Sequence, residues 1–328
     1  MKERYLWIGL LLVVLSWGGN YLYFESKQLD EPIFMKHFYE QALPIRNEDE
    51  EVTDTNYYES EGIQLTFYYL TNKYDNVDVV DVYIDGAEVY VDSGGFDYEF
   101  FGTSEPIHHV EQEFRHYYLK SVTVGIHPEA FATGMPGDRW TFENMEVYFD
   151  NQEMMTANIG KVALLINDST PEILEQRMGS GSNDGQSKSV FVSLKPLTVE
   201  DISVPFANEI SDVFKAKVDI DDIELRKELE DGEDIPSGFE EQSVDWENTP
   251  GILLKNVEFP FKMETDERLS LNVFLNPNRT SFLELASKIT GTTESGESFV
   301  SYAGIIDHPY VTQRAIEQLI AEKEGEKE

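Results

Sequence analysis

Twenty consecutive residues, Tyr5 to Phe24, carry no charge, and this is the only such run in the chain. As a helix it rises about 30 Å, the thickness of the hydrocarbon core of a bilayer. Lys2 and Arg4 precede it, and basic flanks stay on the cytoplasmic side. Residues 1–4 are therefore expected in the cytoplasm, residues 5–24 as a transmembrane signal anchor, and the rest of the chain as extracytoplasmic. A cleaved signal peptide is the alternative, with an apolar core from Leu6 to Leu15 and the small residues Ser16 and Gly18 at a processing spacing. Tyr21 to Phe24 favour the retained anchor, because they continue the apolar run past Asn20 and resemble the aromatic belt of a membrane interface.

The chain has no cysteine, which excludes a lipid-modified cysteine as tether and leaves buried apolar surface, not disulfides, to stabilise the exterior part. Hydrophobic residues make up 41% of the chain, and about 300 residues beyond the anchor suffice for two ordinary domains. Residues 1–30 hold equal numbers of basic and acidic side chains, so the net charge of -38 lies entirely beyond them. Such a field repels nucleic acid, anionic headgroups and anionic wall polymers, while basic proteins and divalent cations are attracted. The plainer reading of the charge is solubility, since the acidic residues are spread along the chain.

After the anchor, Pro32 opens an expected juxtamembrane helix in which Phe34 and Phe38, with Met35 and Tyr39, recur at four-residue spacing. The self-repelling run Asn47 to Glu51 reads as an acidic spacer, so residues 25–56 are expected to link the membrane to a first domain over residues 57–178. There the period becomes two. Ile63, Leu65, Phe67 and Tyr69 alternate with Gln64, Thr66 and Tyr68, and Val122, Val124 and Ile126 repeat the pattern. Val80, Val82 and Ile84 run into Asp85-Gly86, with Val89 and Val91 beyond, the short-loop signature of a hairpin. Trp140 to Phe149 is a further strand, and Ile159 to Ile166 is apolar enough for burial on both faces.

The segment GSGSNDGQS at residues 179–187 reads as a linker to a second domain over 188–306. Val190 and Val192, then Phe214, Ala216, Val218 and Ile220, then Leu269, Leu271, Val273 and Leu275 supply its strands. Glu224 to Glu241 is an acidic excursion with a helix-like patch at Ile223 to Leu229. Residues 307–328 form a C-terminal helix and charged tail, with Asp307 as cap and Pro309 in the first turn. The expected fold is mainly β: two antiparallel, immunoglobulin-like β-sandwich domains after a transmembrane helix, with a short C-terminal helix.

Three groups of residues carry candidate chemistry. His109, Glu113 and His116 would share a face at i, i+4 and i+7 if helical and could ligate zinc. In an extended segment they spread apart, and a solvated loop is the plainer reading. Asp75, Asn76, Asp78 and Asp81, and again Asp219, Asp221 and Asp222, offer hard oxygen ligands for calcium, or simply an exposed acidic face. Tyr57-Tyr58, Tyr68-Tyr69, Tyr117-Tyr118, Trp140 and Trp246 offer a sugar-stacking platform for cell-wall glycan, or ordinary cross-strand pairs. No nucleophile elbow or phosphate loop occurs, so no catalytic residue and no organic cofactor is expected. The chain reads as a membrane-anchored extracytoplasmic interaction or ligand-binding protein, with another protein at the outer face as its expected partner. A cell-envelope hydrolase or carbohydrate-binding accessory protein is the alternative.

Overall fold

The computed structural model describes residues 2–43, 63–92, 110–126, 139–166, 173–182, 185–220 and 246–327. The acidic run 47–51, Tyr57 and Tyr58, His108 and His109, Asp221 and Asp222, and the excursion 223–241 lie outside them. The chain is mainly β, with helix α1 (Lys2–Glu25) at its start and the short helix α2 (Gln313–Lys327) at its end. α1 is long and apolar enough to cross a bilayer, and none of its apolar window is buried. Leu6, Trp7, Leu12 and Val13 are each more than 60% exposed. A helix of this kind is compatible with a single-pass anchor or a signal sequence.

The expected juxtamembrane helix does not form. Its residues are extended as β1 (Ile33–Phe34) and β2 (His37–Leu43). β1 pairs antiparallel with β3 (Ile63–Asn72) at Ile33↔Leu70, and the Met35 N–H donates to the Tyr68 carbonyl at 2.9 Å. Phe34, Met35 and Tyr39 are buried, and Phe38 packs on Phe206. Four-residue spacing suits a helical stripe, but strand partners distant in sequence outweigh that local signal.

The chain packs as two units that interleave along the sequence. The first comprises Met1–Met35, Ser60–Ala130 and Asn144–Ile159; the second comprises Lys36–Glu59, Phe131–Glu143 and Gly160–Glu328. Within the first, β3 lies between β1 and β7 (Tyr117–Ile126), and β7 also pairs β5 (Val89–Asp92) and β6 (Val110–Glu113). A second layer is built from β4 (Val79–Tyr83), the latter half of β8 (Arg139–Phe149) from Asn144 on, and the start of β9 (Met154–Ile166). The alternation read at Ile63, Leu65, Phe67 and Tyr69 is the buried face of β3. Val122, Val124 and Ile126 stand beside them on β7, Val82, Met145 and Val147 are buried in the second layer, and the Tyr69 ring lies edge-on to Phe149 at 6.4 Å. Lys120 is buried in this unit and ion-paired with Asp78. Burial, reinforced by the Asp78 charge, pushes the Tyr69 phenol well above its ordinary pKa.

The second unit is a sandwich of two sheets. One runs β10 (Leu174–Ser182), β11 (Gln186–Ser193), β16 (Arg268–Leu275), β13 (Phe214–Asp219) and β14 (Ile252–Leu253). The other runs β15 (Phe261–Met263), β12 (Leu197–Ser203), β17 (Phe282–Thr293), β2 and β9, with β18 (Ser298–Asp307) also on β17. Phe191, Val218, Leu269, Leu271 and Val273 from the first sheet share one apolar core with Val199, Ile202, Leu285, Ile289, Phe299 and Ile305 from the second.

Three expectations are corrected here. Residues 179–187 are not a linker: they belong to the β10–β11 hairpin, with Gly179↔Ser189 and Ser182↔Gln186 in register, because small polar residues suit a hairpin end as well as a connector. The pairing is not wholly antiparallel, since β2 runs parallel to both β9 and β17. Gly160 makes that insertion feasible: its φ is +98, and a Cβ there would lie 2.3 Å from the His37 carbonyl oxygen. Finally, Asp307 does not cap α2. It ends β18 in a buried ion pair with Arg279, and the cap is Thr312, whose Oγ1 accepts from the Ala315 N–H at 3.2 Å.

Candidate functional site

The turn at Asp85-Gly86 forms as its residues dictate. Gly86 has φ 82, the Ala87 N–H donates to the Ile84 carbonyl at 3.2 Å, and Ile84 and Ala87 make one antiparallel bridge. The hairpin expected around it does not extend further, because β4 leaves to pair β8 while β5 leaves to pair β7. The chain turns a corner between two layers of the first unit, and a cavity of about 600 Å³ opens at that corner.

Local backbone geometry decides what faces this cavity. Val79 opposes Phe149 but Asp81 opposes Tyr148, so Val80 is an extra, bulged residue and is 55% exposed. Beyond the bulge, Val82 and Ile84 turn into the core, and Asp81 and Tyr83 turn outward. Opposite them stand Tyr148 and Glu146, so carboxylate faces ring and ring faces carboxylate across two strands. Cross-strand neighbours lie about 5 Å apart at Cβ, which makes the four side chains one surface. Glu88, with Ala87 and Val89, lines the cavity as well. The Asp81 carboxylate also accepts from the Val82 N–H at 2.9 Å, which fixes its rotamer.

Three carboxylates and two tyrosine rings around an open cavity are suited to a cation. An ammonium or guanidinium group gains both charge pairing and the negative faces of the rings. Tyr83 and Tyr148 are 50% and 38% exposed, so both rings are accessible.

The residues singled out in the sequence fall elsewhere, with one exception. Glu113 is on strand β6, not on a helix, and pairs with Lys73 at 2.5 Å. His116 lies beside Tyr23 and Tyr117, with ring centroids 6.2 and 6.1 Å away, and His109 is outside the described residues. Among the calcium candidates, Asp78 is taken by Lys120, Asp75 accepts from Thr71 Oγ1 through its carbonyl, and Asp219 lies on β13. Asp81 is the exception, since it lines the groove. Among the described residues, no three His, Cys, Asp or Glu side chains are grouped to hold a metal ion.

The aromatic pairs are largely structural. Tyr68, Tyr69 and Tyr117 are buried, Lys73 covers Tyr118 at 5.3 Å, and Trp140 packs on Phe142 at 4.6 Å. Trp246 stacks on Phe274 at 5.5 Å beneath Lys217, whose Nζ donates to the Trp246 and Thr249 carbonyls. Sequence reading missed Tyr83, Glu88, Glu146 and Tyr148. The alternation around Val82 and Ile84 signals that Asp81 and Tyr83 point outward, but nothing local announces strand β8 as their neighbour.

No protein-family model matches the chain, and no curated protein sequence matches it. Among solved structures, the YadV chaperone aligns at 8% identity over 84% of this chain and 99% of its own, with a TM-score of 0.22. A structure described as manganese lipoxygenase of Gaeumannomyces graminis with part of zonadhesin of Komagataella pastoris aligns at 10% identity over 75% and 88%, with a TM-score of 0.20. The collagen-binding domain of the Erysipelothrix rhusiopathiae surface protein RspB aligns at 8% identity over 76% and 86%, also with a TM-score of 0.20. Scores this low carry no inference about fold or function.

Proposed function

We propose that the protein is a membrane-anchored, extracytoplasmic interaction module that holds a partner protein through its basic side chains. In this reading α1 is the anchor, with residues 1–4 in the cytoplasm, and the acidic, tyrosine-lined groove is the contact surface. The observation that carries it is the register Asp81↔Tyr148 and Tyr83↔Glu146 around an open cavity. The net charge of -38 adds a long-range attraction that brings basic partners to any part of the surface, so the rings supply the selectivity.

The test is a titration of the full-length protein in detergent with an acetylated, amidated peptide of alternating arginine and glycine. Two cation–π contacts of about 0.5–1 kcal/mol each correspond to a loss of about 5- to 30-fold when Tyr83→Leu and Tyr148→Leu are combined. Glu317→Gln on α2 removes a charge that does not line the groove and leaves affinity unchanged. Equal affinity in the tyrosine variant, or an equal loss in Glu317→Gln, refutes the groove as the contact surface. Retention of the intact protein in membranes through a salt wash, with a C-terminal tag cut by external protease, tests anchor and orientation separately.

A further inference from the structure

The end of α1 is not separated from the fold by a tether; it is clasped by the end of the β3–β7 pair. The Leu29 N–H donates to Asn72 Oδ1, and Asn72 Nδ2 donates back to the Leu29 carbonyl, both at 2.9 Å. Tyr117, the register partner of Asn72, donates its hydroxyl to the Lys27 carbonyl at 2.7 Å. The last helical carbonyls are closed locally, by the Ser26 N–H and hydroxyl and by the Gln28 side chain, so the helix stops cleanly and β1 begins a few residues on. The acidic run at 47–51 follows β2 and therefore cannot serve as a spacer between anchor and first strand.

Around this clasp sits a ring of amphipathic side chains. Phe24 meets Tyr74 edge-on at 4.9 Å, and Arg115 lies over the Tyr23 ring at 5.9 Å. Tyr74 is 85% exposed, so its ring is accessible beside the end of the apolar helix. Tyrosine, phenylalanine and arginine in one collar at the end of a membrane-length helix match the bilayer interface, where rings enter the headgroup layer and a guanidinium reaches phosphate.

We infer that the collar formed by Tyr23, Phe24, Tyr74 and Arg115 rests in the phospholipid headgroup layer, so that the first unit stands directly on the bilayer with no stalk. This rests on the reading of α1 as a retained anchor. It also sets the height of the groove. Val89 pairs with Ile126 at the opposite end of β7 from Tyr117, so the turn carrying Asp85 lies about 30 Å along the strand from the clasp.

The absence of cysteine allows a direct test. Full-length protein carrying either Tyr74→Cys or Asp85→Cys is labelled with a small fluorophore and reconstituted into phosphatidylcholine vesicles that contain headgroup spin-labelled lipid. The expected result is strong quenching at position 74 and none at position 85. Vesicle-bound protein that is unquenched at position 74, or equally quenched at both positions, overturns the inference and leaves the anchor standing. Protein that fails to float with the vesicles overturns the anchor and the inference together.

Discussion

Two turns in this molecule each carry a glycine at nearly the same positive φ and have opposite outcomes. Gly86 between β4 and β5 has φ 82, and Gly296 between β17 and β18 has φ 83. From the second turn the strands stay together through ten register pairs, Thr292↔Ser298 to Leu283↔Asp307. From the first they part after a single bridge. The difference lies in what each strand can bury. Phe299, Ser301, Ala303, Ile305 and Asp307 alternate inward without interruption along β18, whereas β4 is broken by the bulge at Val80 and buries only Val82 before Ile84. A turn dipeptide thus fixes the reversal of the chain, and burial decides whether the arms remain a pair. Where the arms part, the groove opens.

The largest expected effect separates the two arms. Phe299→Ala empties a buried site in the long hairpin and should cost about 3–5 kcal/mol, whereas Val89→Ala on half-buried β5 should cost about 1 kcal/mol. Equal shifts in chemical unfolding would break the comparison. Next, Val82→Thr places a hydroxyl in the core and should cost about 1–3 kcal/mol, while Val80→Thr should stay within about 0.5 kcal/mol because the bulge already exposes it. Equal costs would place Val80 in the core and remove the bulge. The smallest effect concerns the turns. Gly86→Val and Gly296→Val should each cost about 1–2 kcal/mol, since both force a β-branched residue to positive φ. Only Gly86→Val should also weaken binding of the arginine peptide, and a matching loss in Gly296→Val would detach the groove from its turn.

Much of the fold is written in local pattern. The anchor-length helix and the strands at Ile63, Val122, Trp140, Val190, Phe214 and Leu269 follow directly from runs and alternations. What escapes is whatever depends on a distant partner. β2 reads as helix because its parallel neighbours lie more than a hundred residues away, at Gly160 and Phe282. Asp307 reads as a cap because a carboxylate before proline suits one, yet Arg279 claims it first. The β4–β5 hairpin was half legible: its turn is local, its partners are not. The groove lies at the far end of this scale, since it exists only once Asp81 and Tyr83 meet Glu146 and Tyr148. No spacing rule links residues so far apart in sequence.

The clasp at the end of α1 also has a mechanical meaning. Tension applied to the helix along its axis enters at Leu29 and runs beside β3, through Ile33↔Leu70 and Phe34↔Tyr69 to the Met35 and Tyr68 backbone. Those hydrogen bonds lie perpendicular to β1, so a load carried along that strand is shared among them in shear. The junction between helix and sheet thereby spreads such a load over several hydrogen bonds at once.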